Sequence, residues 1–201
     1  MANNEPSTST TLQIADAGPL GLAAFALTTF VLSVFNAGLL DSKAVPVVFG
    51  LAFFYGGIAQ IIAGVMEYFK KNLFGATAFT SYGAFWMAFW YIQTSAKFAE
   101  DIDPGLKAQG VGVFLLGWTI FTAYMLIAVS KVNYGLTFTF TALLIAFICL
   151  TVGDFTHIVA FTRAGGYFGL AAAAGAWYCS AAGVINFTNG KEVLSVFPVK
   201  K

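Results

Sequence analysis

The stretch FYGGIAQIIAGVMEYFKKNLFGATAFTSYGAFW, residues 54–86, decides the fold, because two apolar segments flank a short charged break. Polar groups stand inside both segments. Gln60 and Glu67 are seven residues apart, so on a helix they fall on one face about two turns from each other. Tyr82 and Trp86 form an i, i+4 pair on the second segment. An amide, a carboxyl and a phenol in membrane-length helices predict a pathway for a polar solute.

The composition of the chain is that of a polytopic membrane protein. Of its 201 residues 59% are hydrophobic and only 9% are charged, and the mean hydropathy is +0.80. The net charge is +1 and the chain has no large basic cluster, so we predict no nucleic-acid partner. Cys149 and Cys179 lie inside apolar runs, which is typical of packing residues. We therefore predict no bound metal and no cofactor.

Six apolar segments are each near the ~20 residues that cross ~30 Å of hydrocarbon. They predict an all-α fold in which six transmembrane helices form one bundle. The segments are 19–40, 45–68, 74–96, 108–130, 134–157 and 165–187. We divide the chain into a disordered N-terminal tail, a transmembrane transport domain and a short C-terminal tail, which are residues 1–17, 18–190 and 191–201.

The basic residues indicate the orientation in the membrane. An even number of spans puts both termini on one side, and the excess of Lys and Arg on that side favours a cytoplasmic location for both. The basic residues are Lys70, Lys71, Lys131, Lys191, Lys200 and Lys201 on the side of the termini, and Lys43, Lys97, Lys107 and Arg163 opposite. The sequence therefore predicts a multi-pass protein of the cell membrane with cytoplasmic termini.

The connection around Pro104 separates two halves of three spans each. If the halves are related, an odd number of spans per half makes the repeat an inverted one. The trace of a repeat is Phe74-Gly75 at the start of the third span and Phe168-Gly169 at the start of the sixth. Alternatively, these small residues only permit close helix packing, as Gly165 and Gly169 would in GxxxG spacing.

Three spans carry stripes that are polar toward their ends and bulky near their centres. In membrane helices such polar residues often only bond a neighbouring helix, for about 0.6 kcal/mol. Three stripes together favour a pore with a narrow waist. The stripes are Phe25, Thr29, Ser33 and Asn36; Tyr82, Trp86, Phe89 and Gln93; and Thr139, Leu143, Phe147, Leu150 and Asp154.

Three titratable groups are candidates for proton coupling. Glu67, Asp154 and His157 sit at or just inside span ends, where a charge asks for a partner or for water. Asp154 and His157 are three residues apart, close enough to pair, and such a pair could relay protons or merely cap the fifth helix. The chain contains no GxSxG, HExxH or P-loop motif, so we predict that it is not an enzyme and has no catalytic residue.

Several motifs together resemble the acetate uptake transporter family, which includes the succinate-acetate permeases. They are Gly18-Pro19-Leu20-Gly21-Leu22 with Phe25 and Thr28-Thr29, then Phe54-Tyr55-Gly56-Gly57-Ile58-Ala59-Gln60, Ala63-Gly64, Glu67-Tyr68, and Phe74-Gly75 to Phe79-Thr80-Ser81-Tyr82-Gly83. The resemblance implies a homo-hexamer in the lipid bilayer, each protomer having its own path for acetate, succinate and similar small carboxylates. It also implies a central constriction at Phe25, Tyr82 and Leu143.

The chain departs from the family signature at its start. The usual signature opens Asn-Pro-Ala-Pro, whereas this chain has Asp16-Ala17-Gly18-Pro19, so a carboxylate replaces an amide. This departure bears on the group that meets substrate at this mouth and on the substrate range.

An anion crossing the bundle needs hydrogen-bond donors in place of water. The hydroxyl of Tyr82 and the N-terminal ends of helices near Pro19 and Pro46 are candidate donors. The other residues predicted to line the path are Thr28, Thr29, Asn36, Gln60, Ser81 and Trp86.

Three functional readings follow from the residues. The first is an anion channel or a proton-coupled symporter for short carboxylates. A channel for urea or short amides would use a similar lining, and a non-transporting scaffold would use the stripes only for packing. The family resemblance favours the first of the three.

Overall fold

A computed structural model describes residues 14–95 and 102–200, and these ranges are all-α. We label the helices α1 to α6 in chain order. They are α1, Gly18–Asn36; α2, made of the contiguous segments Val47–Gly50, Leu51–Ala59 and Gln60–Phe69; α3, Leu73–Thr94; α4, Pro104–Val129; α5, Tyr134–Thr156; and α6, Val159–Asn189. The prediction of a disordered tail falls mostly on residues 1–13, which lie outside the described residues.

The six predicted spans correspond to these six helices, and the prediction of an all-α multi-pass membrane protein is confirmed. Five of the helices are long and apolar enough to cross a membrane by themselves: α1, α2 with its preceding turn (Ser42–Phe69), α4, α5 and α6. The remaining helix, α3, has 22 residues but is less apolar, because Thr, Ser, Tyr and Gly recur along it. Its polar composition matches its place against the interior cavities described below.

Three predicted helix ends need correction, and local capping gives the reason for the first two. The first helix ends at Asn36 rather than at residue 40, because Gly38 adopts a left-handed φ of 74°. The fourth begins at Pro104 rather than at 108, since the Asp103 carboxylate accepts from the backbone N–H of Gly105 at 2.9 Å. The sixth begins at Val159 rather than at 165, so Gly165 and Gly166 lie inside the helix and do not mark its start.

Helix α2 is not a regular α-helix. Its middle segment, Leu51–Ala59, is a π-helix, and it leads directly into Gln60. Glycines in this segment pack closely against neighbouring helices; a Cβ at Gly56 would lie 2.6 Å from the Thr28 hydroxyl oxygen. π turns widen a helix and recur at functional sites. The irregular part of α2 is the part that packs against α1, at Gly56 and Thr28.

The helices form one bundle with an aromatic interior. Helix α6 packs against α1 and α5, α4 packs against α5, and α2 packs against α1 and α3. The close packing predicted for the GxxxG glycines is confirmed, since Gly169 abuts Ser33 of α1 and Gly165 abuts Leu150 of α5. The inverted repeat stays a prediction.

The C-terminal segment folds back onto the bundle. After α6 ends at a left-handed Gly190, the backbone N–H of Tyr134 donates to the Phe197 carbonyl at 3.0 Å. The Asn186 side chain accepts from the backbone N–H groups of Val193 and Leu194, at 2.7 and 2.9 Å. Residues 191–200 of the predicted short tail therefore form an ordered strap across the start of α5.

Candidate functional site

Among the cavities that the described residues form, two lie inside the bundle, one behind the other. The large cavity, of about 290 Å³, opens toward the end of the bundle where α1 begins and α6 ends. The small cavity, of about 40 Å³, lies toward the opposite end, beside Asn36 and Gly165. The large cavity has a mainly apolar wall with polar side chains from Asp16, Gln60, Asn72, Asn133, Thr139 and Asn186.

The two cavities share the lining residues Phe25, Tyr82 and Leu143. These residues come from α1, α3 and α5, and their exposed fractions are 6%, 3% and 5%. The rings of Phe25 and Tyr82 are tilted against each other with centroids 5.9 Å apart. The structure thus brings together, at the junction of the cavities, the three residues that the sequence predicts as a constriction.

The Tyr82 hydroxyl is already committed to a protein partner. Its oxygen lies 2.8 Å from the Thr122 hydroxyl oxygen, and Thr122 donates its own proton to the Trp118 carbonyl at 2.7 Å. Tyr82 must therefore be the donor in this pair, so its ring and not its O–H is what a solute meets. Thr122 is not among the residues predicted from the sequence, because the middle of its helix carries only Thr119 and Thr122 among apolar residues and shows no polar stripe.

Unpartnered polar atoms mark the path on both sides of the junction. Gln60 in the large cavity is 1% exposed, and neither its amide nitrogen nor its oxygen has a hydrogen-bond partner in the described residues. The same holds for the Thr29 hydroxyl and the Trp86 indole nitrogen in the small cavity, which Asn36 also lines. Buried polar groups are costly without a partner, so these atoms are placed to bind a solute or water.

Two residues predicted on the path lie elsewhere. Thr28 is fully buried, donates to the Ala24 carbonyl at 2.9 Å and faces Gly56 of α2. One residue further along, the helix turns by about 100° and points Thr29 into the small cavity instead. Ser81 is half-buried and lines neither cavity.

A cluster of charged and polar side chains stands at the mouth of the large cavity; we call Asp16, Glu67, Lys70 and Asn72 the mouth cluster. The Glu67 side chain is fully buried, and its Oε2 accepts from Asn72 Nδ2 at 2.5 Å. Its Oε1 has no hydrogen bond in the described part of the chain and lies 4.0 Å from Lys70 Nζ. Asn72 lines the cavity and accepts from the Gly75 backbone N–H, which fixes its position.

Asp16 forms the outer part of the mouth cluster. Its Oδ1 accepts from Lys70 Nζ at 2.7 Å and from the Gly18 backbone N–H at 3.1 Å. Partial burial raises the pKa of Asp16, but the hydrogen bonds and positive charge outweigh burial, so its pKa is lower than usual. Asp16 is consequently a carboxylate at neutral pH.

Asp154 and His157 do not form the predicted pair. Asp154 is half-buried, His157 is exposed, and no ion pair within 4.0 Å joins them in the described ranges. His157 is the left-handed C-cap of α5, with φ 58°, and its backbone N–H donates to the Gly153 carbonyl at 2.8 Å. That left-handed turn takes its side chain off the helical path on which a pair would form.

Comparisons with known proteins relate the chain to transport proteins. A model of the GPR1/FUN34/yaaH family matches residues 2–201. Acetate permease A of Emericella nidulans is 41% identical over 197 residues, which cover 92% of this chain and 66% of that protein. The succinate-acetate/proton symporter SatP of Escherichia coli K12 is 38% identical, over 92% of this chain and 96% of that protein. The solved structure of the bacterial acetate channel SatP superposes with a TM-score of 0.85 at 37% identity, covering 92% of this chain and 99% of that one.

Proposed function

The chain belongs to the GPR1/FUN34/yaaH family, and from this premise we propose that it transports acetate, succinate and related short carboxylates through a pore in each protomer. The names of the relatives, an acetate permease and a succinate-acetate/proton symporter, support the substrate class. The observation that carries the proposal is the meeting of two cavities at Phe25, Tyr82 and Leu143.

The lining suits an anion that must enter and leave again. A bare carboxylate loses several kcal/mol or more when it is desolvated, so the path must supply donors. Gln60, Thr29 and Trp86 offer unpartnered N–H or O–H groups on the two sides of the junction. No Lys or Arg side chain lines either cavity in the described residues, so a carboxylate is held by dipoles alone. Binding of that kind is weak enough for release.

The junction itself acts as the constriction in this proposal. Phe25, Tyr82 and Leu143 present two aromatic rings and an aliphatic side chain to the path. Such a waist passes a small anion with a methyl group and disfavours larger polar solutes. Selection thus rests on size and apolar contact at the waist, and charge is compensated above and below it.

The assembly and its orientation are part of the proposal. Large apolar side chains stand exposed on the outside of the bundle, among them Leu116, Ile120 and Ile127 of α4, and these suit lipid and neighbouring protomers. We place the protein as a homo-hexamer in the cell membrane. Both termini face the cytoplasm, because the large-cavity end carries the excess of lysine.

Uptake of labelled acetate into proteoliposomes tests the function. We expect saturable uptake of acetate that unlabelled succinate inhibits. Removing the imposed membrane potential or pH gradient that drives accumulation should abolish accumulation. A channel responds to an imposed membrane potential, whereas a one-to-one proton symporter responds to an imposed pH gradient. Labelled urea in the same vesicles tests the neutral-solute alternative; uptake of urea without uptake of acetate would contradict the proposal.

Glu67 is the best-placed candidate for proton coupling. It lines neither cavity itself, but it is fully buried and accepts a hydrogen bond from Asn72, which lines the large cavity. Asp154 and His157 line neither cavity and have no such link to a lining residue in the described part of the chain. We expect Glu67→Gln to flatten the dependence of acetate uptake on external pH, because the amide keeps the shape and cannot titrate. Asp154→Asn and His157→Ala should leave that dependence unchanged. If the pH dependence of acetate uptake became flat in either of those variants and not in Glu67→Gln, proton coupling would be assigned to the other end of the pore.

A further inference from the structure

We propose that Asp16 and Lys70 set the substrate preference of this chain, with the Asp16 carboxylate selecting monocarboxylates over dicarboxylates at the mouth of the large cavity. The proposal deepens the transport function above and rests on it. It concerns the position at which this chain has Asp and the signature that it resembles has Asn.

The position of Asp16 is fixed by its contacts. It precedes α1, lines the large cavity, and holds both Lys70 Nζ and the Gly18 backbone N–H on Oδ1. Its side chain keeps 59% of its surface exposed. A solute entering the large cavity therefore passes a solvated carboxylate whose location the backbone and Lys70 both determine.

Lys70 cannot cancel the negative charge of the mouth completely. Its ammonium nitrogen lies 2.7 Å from Asp16 Oδ1 and 4.0 Å from Glu67 Oε1, so one cation stands between two carboxyl groups. Glu67 Oε1 is buried and lacks a hydrogen bond in the described ranges, and the positive charge that lies beside it is that of Lys70 Nζ. Lys70 Nζ binds Asp16 at Oδ1, and 59% of the Asp16 side chain stays exposed, so the solvent-facing side of this carboxylate repels an incoming anion.

That repulsion discriminates by substrate charge. The interaction energy of a fixed charge with a solute is proportional to the charge of the solute. A dianion therefore has twice the repulsion energy of a monoanion, and the factor by which its local concentration falls is the square of the factor for the monoanion. A unit charge about 6 Å away in a water-like medium changes the local concentration of a monoanion about threefold and that of a dianion about ninefold. Acetate is thereby favoured over succinate before either reaches the waist.

Asp16→Asn tests the proposal with little change of shape. We expect initial uptake of acetate, measured below saturation, to rise about threefold, and that of fully ionised succinate about ninefold. Lys70→Met should change both rates in the opposite sense with the same squared relation. The double variant should return both rates to near those of the unmodified protein. Glu192→Gln removes an exposed carboxylate at the same end of the bundle, outside both cavities, and should change neither rate.

Salt separates an electrostatic effect from a structural one. Raising the ionic strength from about 0.1 M to about 1 M shortens the Debye length from about 10 Å to about 3 Å, so the difference between Asp16→Asn and the unmodified protein should shrink. Equal factors for acetate and succinate, or no change in either, would overturn the proposal while leaving the transport function in place. Absence of flux in the unmodified protein would overturn both.

Discussion

Leu143→Ala is expected to raise succinate uptake relative to acetate uptake by about tenfold, since a few methylene groups in a packed pocket are worth that much discrimination. Leu143 is 5% exposed and lines both cavities, so its truncation enlarges the opening between them. A larger opening admits the second carboxylate of succinate and reduces the contact that favours a single methyl group. Initial rates for both labelled substrates in proteoliposomes give the ratio, and Phe25→Ala should move it in the same direction.

Two leucines on the same helix provide matched controls. Leu136 lines only the large cavity and Leu150 lines only the small one, so alanine at either place removes the same atoms away from the junction. Neither control should change the succinate to acetate ratio by more than about twofold, since the junction stays closed. The assignment of the waist is wrong if Leu143→Ala changes both uptakes in equal proportion, or if the controls reproduce its effect.

Gly166→Ala is expected to destabilise the folded bundle by about 3 kcal/mol, at the upper end of the usual cost of overpacking. Gly166 of α6 faces the backbone of α1, and an added methyl group would overlap the Ala37 backbone nitrogen and the Asn36 carbonyl carbon. Backbone atoms cannot rotate away as a side chain can, so α1 and α6 must separate. Both helices also line the small cavity. We expect the apparent unfolding temperature of the protein in detergent to fall sharply.

Gly117→Ala is the control for this substitution. Gly117 lies in α4, and a Cβ there would have no atom within 4 Å. Alanine at an unobstructed helix position should leave stability unchanged or raise it by about 0.5–1 kcal/mol. Similar unfolding temperatures for the two variants would show that α1 and α6 are less tightly packed than the structure has them.

Helical spacing predicts three inward-facing stripes, and the family resemblance picks out one residue of each as the constriction. Phe25, Tyr82 and Leu143 belong to three stripes of mixed bulky and polar residues, and such stripes can be read at intervals of three and four residues. The structure places all three at the boundary of the cavities, because those stripes face inward in the bundle. Thr28 lies outside the stripe of the first helix and is predicted on the path only for its hydroxyl; its side chain lies against Gly56 of α2 instead.

The rest of the site depends on tertiary contacts that no local pattern encodes. Asp16 and Lys70 are 54 residues apart, and their pairing follows from the packing of α1 beside the end of α2. The bond between Tyr82 and Thr122 likewise joins two helices across the bundle. The C-terminal strap depends on Asn186, whose side chain gives no sign in the sequence that it holds backbone from residues 193 and 194.

The most direct test of the central claim, that carboxylates pass a waist at the junction of the cavities, is acetate uptake by proteoliposomes containing Tyr82→Phe or Tyr82→Ala. The phenylalanine variant keeps the ring and loses only the bond to Thr122, so we predict saturable uptake close to that of the unmodified protein. The alanine variant removes the ring from the waist, and we predict clearly altered acetate flux and a changed succinate to acetate ratio. Uptake by Tyr82→Ala that matches the unmodified protein for both substrates would contradict the account.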